Sequence, residues 1–125
     1  MNAADQQLAI GIDVGGTTIK GVLADTQGRI VTTSQAVTTP RTGADVVTVV
    51  ARLARTLREA SVDAPVGVCV PGIIDEDRGI GVFSANLGWK DAPLSDMLSD
   101  HLGSFVPLGH DVRSGALGES LWGVR

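Results

Sequence analysis

From Leu8 to Ala24 the chain alternates between apolar positions and polar or small ones, with one interruption at Gly15-Gly16-Thr17-Thr18. Leu8, Ile10, Ile12 and Val14 share one parity and Ala9, Gly11 and Asp13 the other, a period of two that marks a strand rather than a helix. Alternation resumes from Ile19 to Ala24. The spacing therefore predicts antiparallel strands at about Leu8–Val14 and Thr18–Asp25, joined by the glycine turn. Asp25-Thr26-Gln27-Gly28 reads as a tight turn, with glycine where positive φ is wanted. Arg29 to Val37, rich in Val, Ile and Thr, reads as the third strand of a meander.

Pro40 ends that segment. Thr42-Gly43-Ala44-Asp45 has the form of a capping box with Asp in the usual Glu place. Behind it Val46, Val50, Leu53 and Leu57 form one apolar helical face running to about Ala60, with Arg52, Arg55 and Arg58 on the solvated side. Val66–Val70 is all apolar and reads as a central strand buried on both faces, closed by Pro71-Gly72. Ile73 to Val82 reads as a small hairpin turning at Asp75–Gly79, and Ser84–Lys90 as an irregular loop. Asp91-Ala92-Pro93 is expected to cap a helix carrying Leu94, Leu98 and Leu102, which Gly103 stops. Val106–Leu108 reads as a short strand, and Asp111 opens a last helix through Leu121. Helices on a mixed sheet, meander first and βα units after, give an α/β (α+β, mixed-sheet) lobe.

Composition narrows the function. With 125 residues, 43% of them hydrophobic, the chain is one domain or one lobe and can bury a core. The net charge of −4 and the scattered basic residues argue against a nucleic-acid partner. Cys69 is the single cysteine, which excludes a disulfide framework and a thiol metal cluster. No apolar run is long enough to span a bilayer, and Met1–Gln7 lacks the form of a signal peptide, so the expected location is cytoplasmic.

The glycine turn is unusual for a hairpin. Paired glycines allow positive φ and close approach of the backbone to a ligand. The hydroxyls of Thr17 and Thr18, the nearby N–H groups and the Lys20 ammonium together suit phosphate oxygens. Asp13 stands where a carboxylate can hold Mg2+ beside those phosphates. A Walker A loop is excluded because a strand follows the glycines, and the GxGxxG dinucleotide fingerprint is absent. The bland reading keeps the glycines for the turn alone, but a plain hairpin needs neither that Asp nor two threonines.

Three separated motifs then agree. Asp13-Val-Gly-Gly-Thr-Thr-Ile-Lys20, Val70-Pro71-Gly72 with Asn86-Leu-Gly-Trp89, and Asp111 through Ala116-Leu-Gly-Glu119 resemble the ROK family of sugar kinases and sugar-sensing repressors. That family belongs to the actin-like, RNase H-like ATPase superfamily. The resemblance runs through nearly the whole chain in the family's order. It implies a two-lobed kinase in which ATP and a hexose meet between the lobes, with residues 1–125 as a single N-terminal lobe and the C-terminal lobe missing. It further implies that Gly15, Gly16, Thr17, Thr18 and Lys20 bind phosphate, with Asp13 beside the metal–phosphate group. Gly72, Asn86 and His110 then lie against the sugar, and Asp111 is the catalytic base. A carboxylate in that role is chemically apt, because a sugar hydroxyl is a poor nucleophile until its proton has an acceptor. The helix start expected there favours the ionised form.

Two departures stand out. Where the family usually carries Asn before the catalytic Asp and two residues after it, this chain has His110 and Arg113. Neutral His offers one donor and one acceptor, fewer than Asn, so the sugar preference is open. A strand-end histidine satisfied by backbone groups is an equally good reading of His110. The second lobe's Gly-rich loop, its Glu-x-x-Gly-His segment and its zinc cysteines do not occur. The chain alone is therefore expected to lack kinase activity and to self-associate through exposed apolar surface, the full kinase to be a homo-oligomer. A non-catalytic sugar-sensing lobe of a regulator is the alternative.

Overall fold

The computed structural model describes residues 7–15, 18–37, 43–70, 72–84 and 89–110. Two sheets are present among them. Strands β1 (Leu8–Val14), β2 (Thr18–Asp25), β3 (Ile30–Val37), β4 (Val66–Val70) and β8 (Leu108–His110) form a five-stranded sheet in the order β3-β2-β1-β4-β8. Strands β5 (Ile73–Asp75), β6 (Ile80–Ser84) and β7 (Trp89–Ala92) form a smaller antiparallel sheet. Helix α1 (Gly43–Arg58) follows the meander and α2 (Leu94–Leu102) precedes β8.

The meander is antiparallel, whereas β1, β4 and β8 run parallel, as crossovers through α1 and α2 require. Ile10, Ile12 and Val14 of β1, Ile19 and Leu23 of β2, and Val66, Val68 and Val70 of β4 are buried in one core with Val46, Val50, Leu53 and Leu57 of α1. Burying each such side chain contributes about 1.5–3 kcal/mol, which makes this face the main source of cohesion. β4 is buried at all five positions, as its unbroken apolar run predicts. Gly21 belongs to the same face. It pairs with Ile12 and lies beneath Leu57, where a side chain would collide.

Several sequence expectations are corrected. The segment read as an irregular loop at Ser84–Lys90 has Ser84 in β6 and Trp89 and Lys90 in β7, paired across the small sheet. The expected cap Asp91-Ala92-Pro93 is not one. Asp91 belongs to β7 with φ 50°, and Pro93 occupies the N-cap position of α2 without a side-chain cap. A cap is dispensable because the Gly79 carbonyl accepts the Ser95 N–H at 3.0 Å, satisfying a donor that would otherwise be orphaned. Gly79 itself has φ +68°, and a Cβ there would run into the Ser95 side chain. The last strand is Leu108–His110 rather than Val106–Leu108. Val106 lies just before it, and its carbonyl accepts the buried Ser95 hydroxyl.

Arg58 is half-buried rather than solvated. Its guanidinium donates to the Ala64 and Leu102 carbonyls and to Ser104 Oγ at 3.0–3.2 Å, tying the end of α1 to the end of α2. Arg55 donates to the His101 carbonyl at 3.1 Å along the same seam. Arg52 stays exposed, as predicted. The proposed capping residue Thr42 and the helix expected from Asp111 lie outside the described residues.

Candidate functional site

β1 and β2 are in register from Leu8↔Asp25 to Val14↔Ile19, so the strands close on the four residues from Gly15 to Thr18. The Gly15 N–H donates to the Thr18 carbonyl at 2.9 Å. Glycine at 15 is required by space, not by a left-handed φ. A Cβ there would stand 2.8 Å from the Thr18 carbonyl oxygen, a backbone atom that no rotamer change can move. Gly16 and Thr17, the middle of the expected phosphate loop, lie outside the described residues.

Asp13 pairs across the ladder with Lys20, which puts both side chains on the face of the sheet opposite the α1 core. Thr18 shares that face, two residues from Lys20 on the same strand. All three are exposed. A carboxylate, an ammonium and a hydroxyl thus border one glycine turn. The set fits Mg2+ with phosphates, since that ion commonly takes one or two carboxylates and completes its shell with phosphate oxygens and water. Among the described residues no group of three or more His, Cys, Asp or Glu is clustered as an all-protein metal site.

The parallel strands extend the site sideways. Asp13 pairs with Cys69 on β4, and Cys69 with Gly109 on β8, so the three form one row across the sheet. At about 4.8 Å per strand, Asp13 and Gly109 are roughly 10 Å apart. Each strand ends just past this row, at Val14, Val70 and His110. The start of the turn at Gly15, Gly72 and His110 therefore share the carboxyl-terminal edge of the parallel strands, where open α/β sheets bind ligands. Gly72 is exposed with φ +89°, a conformation that favours glycine. His110 ends β8 opposite Val70. Asn86 and Asp111 lie outside the described residues, although Asp111 follows His110 directly in the chain.

Sequence reading missed the row itself. Gly67, Cys69 and Gly109 are ordinary in their local contexts, and only the register of β1, β4 and β8 sets Cys69 and Gly109 beside Asp13. Among the described residues no helix is long and apolar enough to cross a membrane.

Comparison with known proteins gives this geometry a context. The chain is 37% identical over 119 residues to a glucokinase of Thermotoga maritima, covering 92% of this chain and 37% of the relative. It is 29% identical over 121 residues to the xylose repressor of Bacillus subtilis, covering 93% of this chain and 31% of the relative. Its fold matches the crystal structure of a ROK family glucokinase from Streptomyces griseus in complex with glucose and AMPPNP, with a TM-score of 0.80 and 31% identity. That match covers 94% of this chain and 37% of the other. The chain spans about a third of the length of the curated relatives it matches. The three motifs, the strand order and a match of residues 9–125 to the profile described as ROK family agree, and the chain belongs to the ROK family.

Proposed function

We propose that this chain is the N-terminal lobe of a glucokinase-like sugar kinase that transfers the γ-phosphoryl group of ATP to a hexose hydroxyl. The observation that carries the reading is the common carboxyl-terminal edge of β1, β4 and β8. It brings the Gly15 turn within about two strand spacings of the residue that precedes Asp111. Similarity to glucokinases supports the sugar and the nucleotide, since the S. griseus neighbour holds glucose and AMPPNP.

In this reading the turn from Gly15 to Thr18 and the Lys20 ammonium bind the phosphates. Asp13 holds Mg2+, which when bound neutralises phosphate charge. Gly72, Asn86 and His110 contact the sugar. Asp111 accepts the proton of the attacking hydroxyl as its oxygen bonds to the γ-phosphorus and the bond to the ADP oxygen breaks. The full-length kinase is a cytoplasmic homo-oligomer, and this lobe alone lacks turnover because half of each ligand's contacts are missing.

Asp111→Asn in the full-length kinase is the direct test. Turnover is expected to be lost while hexose affinity, read by calorimetry, stays largely intact. Unchanged turnover would reject Asp111 as the base. The similarity to xylose repressors supports a second reading, a sugar-sensing lobe without phosphoryl transfer. Binding of sugar with no binding of ATP and no turnover in the full-length protein would favour it.

A further inference from the structure

We propose that the outer edge of β3 pairs with β3 of a second copy of this chain, antiparallel and centred on Ser34, fusing two five-stranded sheets into one. β3 ends the sheet order, and among the described residues no strand pairs with its outer side. Alternate N–H and C=O groups along it therefore point away from β2, a ready template for another strand.

Folded proteins usually guard such an edge with charge, proline, bulges or brevity. β3 is eight residues long, and Ile30–Val37 contains neither a charged residue nor a proline. Its one irregularity is a bulge at Val31, the residue skipped between Leu23↔Thr32 and Ala24↔Ile30; Thr32–Val37 is in regular register. Ile30, Val31 and Val37 are 61%, 53% and 71% exposed. Among the described residues, the edge thus displays backbone groups without a strand partner together with apolar side chains.

A second copy fits because the segment complements itself. A twofold axis perpendicular to the sheet keeps the helix-bearing faces of both copies on one side and pairs residues of equal parity. Centred on Ser34, it sets Ser34 opposite its own copy, Thr33 opposite Gln35, Thr32 opposite Ala36 and Val31 opposite Val37. Polar side chains meet at Ser34 and at the Thr33–Gln35 pairs, and at each end exposed Val37 comes beside exposed Val31, just past the regular part of the strand. Cross-strand β-branched pairs of that kind stabilise a ladder. With no charge in the segment, the twofold brings no like charges together. β3 and β8 occupy opposite ends of the sheet order, so pairing through β3 leaves the edge at Gly72 and His110 free on both copies. The inference does not depend on the kinase reading.

Sedimentation equilibrium of the 125-residue chain over a range of concentrations tests it. The mass is expected to double as concentration rises. Val31→Lys with Val37→Lys opposes like charges in this register and is expected to hold the chain as a monomer with an unchanged circular dichroism spectrum. Val31→Lys with Val37→Glu opposes unlike charges and restores the dimer. Ser34→Cys is a separate check on register. Residues directly opposed in an antiparallel pair have Cα atoms about 4.5–5.5 Å apart, within disulfide range, so oxidation links this variant into a dimer while Thr32→Cys does not. A wild-type chain that stays monomeric, a dimer indifferent to the lysine pair, or no cross-link at 34 would each overturn the proposal.

Discussion

Gly21 on β2 lies under Leu57 of α1, so close that a Cβ on the glycine would stand 2.8 Å from Leu57 Cδ1 and 3.4 Å from Ile12 Cγ1. Strand and helix meet here without a spacer. Replacing glycine by alanine usually gains about 0.4–1 kcal/mol through the unfolded chain, whereas overpacking a core costs about 1–3 kcal/mol. The clash wins, so Gly21→Ala is expected to destabilise the fold. Leu57→Ala is expected to cost about 2–5 kcal/mol. In the double variant the added methyl occupies part of the vacated space, so urea denaturation should show a combined loss smaller than the sum. Strict additivity would mean that the two residues do not meet.

Gly15→Ala tests the turn at the candidate site. The obstructing atom is the Thr18 carbonyl oxygen, so the turn must open and its Gly15–Thr18 hydrogen bond must lengthen or break. A loss of about 1–3 kcal/mol is expected, with amide exchange at residue 15 accelerated more than in β4. Under the proposed function, the same change in the full-length kinase weakens nucleotide binding. Unaltered exchange at residue 15 would contradict the close approach.

Arg58 donates three hydrogen bonds, two to the end of α2 at Leu102 and Ser104 and one to Ala64 in the connection between α1 and β4. Arg58→Met keeps much of the aliphatic packing but leaves the Ala64 and Leu102 carbonyls without this donor. Bonds from a charged group contribute about 1.5–3 kcal/mol, and a drop of that order is expected in thermal or urea unfolding. Arg58→Lys should recover only a minor part, because one ammonium cannot span what the planar fork reaches.

Asp25 gives the acid limb of stability a specific contributor. The backbone N–H of Arg29 holds its carboxyl below the usual carboxylate range, helped by the Gln27 N–H and the Arg29 guanidinium and opposed by some desolvation. A folded-state pKa below the unfolded one stabilises fully above the unfolded value and is lost as pH falls through the folded one. The melting temperature of the wild-type chain should therefore fall more steeply below about pH 4 than that of Asp25→Asn. The variant should also loosen the turn at Gly28. Parallel pH profiles for the two proteins would exclude this role.

Local pattern made part of the molecule legible in advance. The β1–β2 hairpin follows from strict alternation on both sides of the turn, α1 from apolar spacing on one helical face, and β4 from five consecutive apolar residues. β7 was hidden because Trp89-Lys90-Asp91-Ala92 is short and of mixed polarity, and its pairing with β6 is what holds it extended. The α2 cap was misread because its donor is satisfied by Gly79, a residue from another turn. Arg58 resembles a solvated residue until Leu102 and Ser104 are folded against it. At the candidate site, the hairpin half was readable around Asp13 and Lys20. The row through Cys69 and Gly109 exists only once crossovers have aligned parallel strands.

The position of Cys69 in that row gives the molecule an internal clock. The chain's only thiol is buried in β4, between β1 and β8. An alkylating reagent reaches such a sulfur only when the surrounding structure parts, so its labelling rate counts openings of the central ladder. Anything that clamps the ends of those strands together should slow that count. A phosphate-bearing molecule settling on the glycine turn would then be detected by slowed thiol labelling, with no phosphoryl transfer required.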